Sequence, residues 1–341
     1  MSTGSPFVIR PIEPSEYARE SALVHTAYAA GPYREELTEN AAWLATERDA
    51  AGRDGAGRIL VAVREGALVG AVTVLRGGSQ FAKLATVGEA ELRLAAVAPA
   101  AQGLGIGAAL IRAGVEQALL WGSSAVRLNT GVKNPAARLY ERLGFVPTPE
   151  LDARLDGSGY GASRSFAYRL QERAEVRIRE VAVAEIPEVS ELVLAAYRDD
   201  YSGLPDEYLA EIANVAERAA QHQVWVAEDS ETGELLGTIT TPRAGTTLSE
   251  VARPGEMDLR LLGVAGRARG RGIGSLIMRH GLRLARIRGV NRVVLNTSTE
   301  MVAAYELYDR MGFARLPERE YEIHRADGTS FTLLAYGIDP A

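Results

Sequence analysis

Apolar positions along the chain alternate between the two-residue period of strands and the wider stripes of helices, and the whole succession is written twice. The short apolar run 7–10 predicts a strand, and residues 15–28, with Pro14 just ahead of the first turn, predict a helix. Two β-rich runs, 59–63 and 68–74, flank Arg64-Glu-Gly66, a hairpin signal, and 224–227 and 235–240 repeat this around Asp229-Ser-Glu-Thr-Gly233. The apolar run 92–97 then leads through a glycine-rich turn into a helix over 107–121, with Leu110, Ile111 and Val115 on one stripe. A strand follows over 126–129 and a helix over 135–143 that Gly144 stops; final strands begin at Phe145 and Phe166, flanking the turn-rich segment 156–161.

The repeat can be read residue by residue. Leu92-Arg-Leu-Ala-Ala-Val-Ala-Pro-Ala-Ala-Gln-Gly-Leu-Gly-Ile-Gly107 returns as Leu259-Arg-Leu-Leu-Gly-Val-Ala-Gly-Arg-Ala-Arg-Gly-Arg-Gly-Ile-Gly274. Leu139-Tyr-Glu-Arg-Leu-Gly-Phe145 returns as Leu307-Tyr-Asp-Arg-Met-Gly-Phe313, and Ala27-Tyr28 as Ala196-Tyr197. A period this long indicates a duplicated domain rather than a solenoid. The expected domains are residues 1–171 and 172–341, divided in the charged stretch Gln171-Glu-Arg-Ala-Glu175, each of mixed α/β class. The chain's 341 residues, at roughly 150 per domain, suit that division.

Composition removes several chemistries. With no cysteine, a disulfide framework, a cysteine nucleophile and a thiolate metal site are excluded, and four scattered histidines argue against a metal centre. Lys and Arg number 38 against 44 Asp and Glu, a net charge of −6 that speaks against general affinity for nucleic acid or an anionic membrane. Neither a signal-peptide pattern nor a long apolar run is present, so a cytoplasmic protein is expected. Oligomeric state is not legible.

The glycine turns carry the chemistry. Gln102-Gly-Leu-Gly-Ile-Gly107 and Arg269-Gly-Arg-Gly-Ile-Gly274 each join a strand to a helix, where free N–H groups and missing Cβ atoms suit a pyrophosphate. Neither copy ends in the Gly-Lys-Ser/Thr of a triphosphatase loop, and neither has the Gly-x-Gly-x-x-Gly spacing of a nicotinamide site. Arg267, Arg269 and Arg271 surround the second turn only, which predicts tighter phosphate binding there.

Val97-x-Pro-x-x-Gln-Gly-x-Gly-Ile-Gly107 followed by Asn134-x-x-Ala-x-x-Leu-Tyr-x-x-x-Gly-Phe145 resembles the signature of the GNAT superfamily of acyl-CoA-dependent N-acyltransferases, and the second half is similar through Val264 to Gly274 and Leu307 to Phe313. The resemblance implies a tandem pair of mostly antiparallel, splayed sheets flanked by helices, with acetyl-CoA as co-substrate and no metal. It implies that CoA is held by Ala95, Val97, Gln102, Gly103, Leu104, Gly105, Ile106, Gly107, Ala108 and Asn134 in the first half. In the second half the same role falls to Leu262, Val264, Arg269, Gly270, Arg271, Gly272, Ile273, Gly274 and Ser275. Tyr140 and Tyr308 stand where the family commonly places the acid that protonates the departing thiolate. Glu91 and Asp258, at matching strand starts, are the candidate bases; His280 is expected to be structural. The acceptor would be a small-molecule or peptide amine, read by loops such as 31–40 and 201–208. A non-catalytic acyl-CoA-binding role for one or both halves is the alternative, and within the family a mycothiol synthase-like subtype fits the tandem arrangement.

Overall fold

Strand and helix follow one another in the order that the periodicity requires, in a computed structural model that describes residues 7–38, 40–155, 163–201, 204–324 and 330–340. The turn-rich segment 156–161 lies outside the described residues. The chain divides into two compact units, Met1–Gln171 and Glu172–Ala341.

In the first unit the strands are β1 (Val8–Pro11), β2 (Gly57–Arg64), β3 (Ala67–Arg76), β4 (Ala90–Val97), β5 (Ala125–Gly131), β6 (Val146–Pro147) and β7 (Ser163–Arg169). Its helices are α1 (Tyr17–Ala29), α2 (Arg34–Thr38), α3 (Ala41–Arg48), α4 (Ala50–Gly55), α5 (Ile106–Leu120) and α6 (Ala136–Arg142). The seven strands form one sheet in the order β1-β2-β3-β4-β5-β7-β6, antiparallel throughout except between β4 and β5. That parallel pair meets only at Ala90↔Val126 and Glu91↔Arg127 before the strands part. The β2–β3 hairpin turns at Glu65 and Gly66, φ 52° and 78°, the left-handed pair that suits a two-residue hairpin.

The second unit contains α7 (Ile186–Asp200), α8 (Asp206–Ala213), α9 (Val215–Gln221), α10 (Ile273–Arg288) and α11 (Val302–Arg310). Its strands are β8 (Val176–Glu180), β9 (Gln223–Asp229), β10 (Leu235–Thr241), β11 (Glu256–Asp258), β12 (Arg260–Val264), β13 (Arg292–Ser298), β14 (Ala314–Arg315), β15 (Tyr321–His324) and β16 (Ser330–Ile338). Here the splay is complete. β11 pairs in parallel with β13, whereas β12, which continues the same run of chain, pairs only with β10, so two sheets result.

A β-bulge accompanies this divergence in both units. Leu94 and Leu261 hold φ of 51° and 55°, a backbone conformation that is rare for a branched side chain. At both places the pairing with the neighbouring strand slips, between Ala71 and Thr73 and between Thr238 and Thr240. The slip reverses which side of the sheet each later residue faces. Leu92 packs on α5, where a Cβ on Gly114 would come within 2.7 Å of its Cδ2, yet Leu94 joins the opposite core with Val24 and Trp43. Likewise Leu259 abuts Gly281 of α10, while Leu261 sits among Val189, Val193 and Ile212 on the other side.

The helical pieces α2 to α4, α8 and α9 were not expected; the segment 31–40, expected as a loop, contains α2. These pieces are short and lack a long apolar stripe, and side-chain caps start α3, α4 and α9. Asn40, Asp49 and Asn214 accept the N–H groups of Trp43, Gly52 and Glu217.

Candidate active site

The glycine turns adopt one geometry twice. Gly103 and Gly105 have φ of 80° and 79°, Gly270 and Gly272 have 73° and 76°, and in each turn the second glycine is the helix N-cap. A Cβ at any of the four would meet nothing within 4 Å, so these glycines answer a backbone need and face open space. Gly107 and Gly274 do a different job. They let helix pack on strand and on the following helix, with Leu139 and Val97 both 3.7 Å from a Cβ on Gly107, and Leu307 and Val264 at 3.4 and 3.6 Å from one on Gly274.

The first helical hydrogen bond of α5 runs from Ala109 to Gly105, and that of α10 from Leu276 to Gly272. The N–H groups of Ile106, Gly107 and Ala108, and of Ile273, Gly274 and Ser275, therefore have no helical carbonyl behind them. A phosphate group fits this cradle, because donors converge there and the helix dipole favours negative charge. Gln102 and Leu104 are exposed beside it. Ala95, Val97, Leu262 and Val264 are half-buried and lie beyond the last β4–β5 and β11–β13 pairs, on the edge that the splay opens. Asn134 accepts from Ala136 N–H at 3.0 Å, which commits its side-chain carbonyl to the start of α6.

The structure changes the reading of the arginines. Arg269 lies 2.9 Å from Asp200 and 3.7 Å from Asp199, and also donates to the Ala196 carbonyl at 3.3 Å. Arg271 is 3.7 Å from Asp229, and Arg267 pairs with Glu234. Each guanidinium already has a carboxylate, so the extra positive charge inferred at the second turn is balanced locally.

Tyr140 and Tyr308 are both buried, next to an aromatic wall. Tyr140 meets Phe145 and Phe166 at ring separations of 6.1 and 5.8 Å, and Tyr308 meets Phe313 and Tyr336, both at 5.8 Å. Burial pushes both hydroxyls well above the usual phenol range, so each stays protonated and able to donate. Their helix neighbours Leu139 and Leu307 touch the glycine-turn helices, which fixes the tyrosines relative to the cradle.

Glu91 and Asp258, the candidate bases, lie away from solvent and hold loop groups. Both are wholly enclosed. Glu91 Oε2 accepts three backbone N–H groups, from Lys83, Leu84 and Ala85 at 2.8, 2.7 and 3.0 Å. Asp258 accepts from Leu248 N–H at 2.8 Å and from the Ser249 hydroxyl at 2.7 Å. These carboxylates pin the loops that precede the splaying strand, which is a positioning task. His280 is also enclosed, edge-on to Trp225 at 4.5 Å, and burial holds its pKa down to about 3.

The loops expected to read the acceptor are partly packed. The Tyr33 hydroxyl accepts from Lys133 N–H at 2.6 Å across the end of β5, and Tyr201 and Tyr208 stack edge-on around Tyr197 at 5.6 and 6.4 Å. Residues 39, 202 and 203 of those loops lie outside the described residues. Sequence reasoning missed a cavity of about 420 Å³ between α8, α9 and the start of β12, which reaches Arg218, Arg260 and the bulge residue Leu261. Among the described residues, no helix is long and apolar enough to cross a membrane, and no cluster of His, Asp and Glu could hold a metal ion.

Comparison with known proteins gives a consistent result. The sequence pattern of the acetyltransferase (GNAT) family matches residues 23–145 and 186–313. A mycothiol acetyltransferase of Mycobacteroides abscessus is 29% identical over 224 residues, covering 64% of this chain and 69% of that protein. Another from Nocardia farcinica is 27% identical over 279 residues, covering 77% and 81%. Among solved structures, spermidine N-acetyltransferase from Vibrio cholerae in complex with CoA and spermine aligns with a TM-score of 0.36 and 14% identity, over 49% of this chain and 97% of that one.

Proposed function

The chain belongs to the acetyltransferase (GNAT) family and is an acyl-CoA-dependent N-acetyltransferase, and from that premise we propose that residues 1–171 and 172–341 are two GNAT domains, each with its own acetyl-CoA site. The observation that carries this reading is the strand, bulge, glycine turn and helix built twice with the same backbone angles. Bound acetyl-CoA supplies a thioester whose carbonyl carbon an amine attacks. The turn N–H groups hold the pyrophosphate, and backbone N–H groups at Ala95–Val97 and Leu262–Val264 receive the pantetheine arm and the developing oxyanion. Tyr140 or Tyr308 gives its proton to the departing thiolate, and the amine's proton leaves to solvent, because Glu91 and Asp258 are committed to loops. The acceptor is a small-molecule or peptide amine and the setting is cytoplasmic.

Titration of acetyl-CoA into the intact chain should approach two sites, and acetyl-CoA should be consumed when amines are added. One site only, or none, would remove the proposal for a unit; hydrolysis without amine dependence would remove N-acetylation. Two narrower readings have support of their own. The relatives called mycothiol acetyltransferase favour a mycothiol synthase-like subtype. The packed Arg53–Glu20 pair of the first unit, set against the cavity of the second, favours a first unit that binds acyl-CoA without transferring.

A further inference from the structure

The same arginine recurs in both units, and among the described residues only Arg53 of the two forms a close ion pair. Arg53 follows the cap Asp49 by four residues, and Arg218 follows the cap Asn214 by four. Each closes the end of the preceding short helix. Arg53 donates to the carbonyls of Thr46 and Glu47 at 3.0 and 2.9 Å; Arg218 donates to those of Glu211 and Ile212, the latter at 2.7 Å.

In the first unit the remaining guanidinium N–H groups go to Glu20, at 2.7 and 3.1 Å, and to the Thr73 hydroxyl at 2.5 Å. Arginine and glutamate are then fully enclosed. In the second unit the repeat places Val189 where Glu20 stands, since each lies eight residues before the matching Tyr28 or Tyr197. Among the described residues Arg218 thereby lacks the built-in carboxylate, its Nε is buried with no hydrogen-bond partner, and so is Nδ1 of His222.

Where the first unit has a packed ion pair, the second has the cavity of about 420 Å³, into which Arg218, His222, Arg260 and Thr240 all face. Its acidic residues make no close ion pair with Arg218 among the described residues, although the charge of Glu211 acts on it from a distance. Glu211 pairs with Arg260 at 3.4 Å, and Glu217, exposed at the rim, accepts from the side-chain amides of Asn214 and Gln221. A half-buried guanidinium without a close carboxylate favours an anionic ligand, and a carboxylate suits the fork geometry that arginine presents.

We propose that this cavity seats an anionic group of the acceptor, a carboxylate that occupies on Arg218 the place that Glu20 fills on Arg53, so that the second unit acetylates amines that also carry a carboxylate. The cavity extends to Leu261, the bulge residue of the strand along which the acyl group is to be held, so a molecule anchored on Arg218 has its other end near the reaction. The acylation step rests on the function proposed above; the docking of the anion does not.

Matched amines that differ only in a carboxylate test this on the full-length chain saturated with CoA: L-lysine against cadaverine, and L-tyrosine against tyramine. Calorimetry should show the carboxylated member of a pair binding at least about tenfold tighter, a difference that corresponds to ~1.4 kcal/mol. Arg218→Gln should erase the preference. Val189→Glu keeps Arg218 and its helix-closing bonds but installs the internal counter-ion, and it should erase the preference too, with CoA affinity unchanged in both variants. Equal or undetectable affinities within both pairs, or a preference that survives both substitutions, would overturn the proposal. Carboxylate-dependent binding without acetyl transfer would uphold the docking site and sink the transfer reading of the second unit. Transfer to cadaverine and tyramine as readily as to lysine and tyrosine would do the reverse.

Discussion

Nη2 of Arg53 lies 2.7 Å from Oε2 of Glu20 in the core of the first unit, with neither side chain exposed to solvent. Removing one member leaves an uncompensated charge in a dry place, so Arg53→Met should cost about 3–5 kcal/mol. Replacing both, as Arg53→Met with Glu20→Leu, should recover much of that loss. Urea unfolding of the two variants checks it; a double variant no more stable than the single one would show that the helix-end carbonyls, not the ion pair, are what need Arg53.

Tyr308 and Tyr140 offer a kinetic test. Among the described residues neither hydroxyl makes a hydrogen bond, so Tyr→Phe should leave the melting temperature close to wild type. In an active unit turnover should fall by about 10²-fold or more at nearly unchanged CoA affinity, since proton donation to the thiolate matters only in the transition state. Near-normal rates in both single variants and in the double would return the two tyrosines to the aromatic wall.

The glycine cradle should respond to a single methyl group. Gly105→Ala and Gly272→Ala each put a Cβ on a left-handed backbone, which costs about 1 kcal/mol and distorts the turn. Each variant should lose or weaken CoA binding at its own turn and leave the other unchanged. By contrast, Arg269→Gln with Arg271→Leu should alter CoA affinity by no more than a few-fold, because both guanidinium groups are already paired with Asp199, Asp200 and Asp229. A large, salt-sensitive loss would show that they exchange those partners for phosphate.

Acid sensitivity follows from His280. Its folded pKa is depressed to about 3 by burial, against about 6.5 unfolded. The unfolded chain therefore binds the proton more readily, and stability falls as the pH drops from about 6.5 toward 3. At pH 5 this one group should cost about 2 kcal/mol. His280→Leu should flatten that part of the pH profile, as measured by melting at pH 7.5 and pH 5. An unchanged slope would overturn this assignment, since a carboxylate such as Glu16, whose pKa is lowered to about 2 by Arg10, loses its stabilisation only below its unfolded value near 4.5 and cannot act between pH 7.5 and 5.

The duplication, the order of the main strands and long helices, and the place of the glycine turns were legible in the sequence, because these depend on local rules: apolar spacing, the stop at Gly144, and the need for glycine at positive φ. It could not show that Leu94 and Leu261 also take positive φ, since a leucine advertises no such preference; the bulge is imposed by strand pairing on one side and the splay on the other. Glu91 and Asp258 read as strand-start acids, and only the folded chain shows the loops that enclose them and donate to Glu91 Oε2 and to Asp258. Nothing in the local sequence sets Arg53 and Arg218 apart from the other charged residues. Only the packing decided that one is neutralised by Glu20, distant in sequence, and that the other opens into a cavity where Val189 supplies no charge, because burial and long-range pairing are properties of the assembled fold and not of the local pattern.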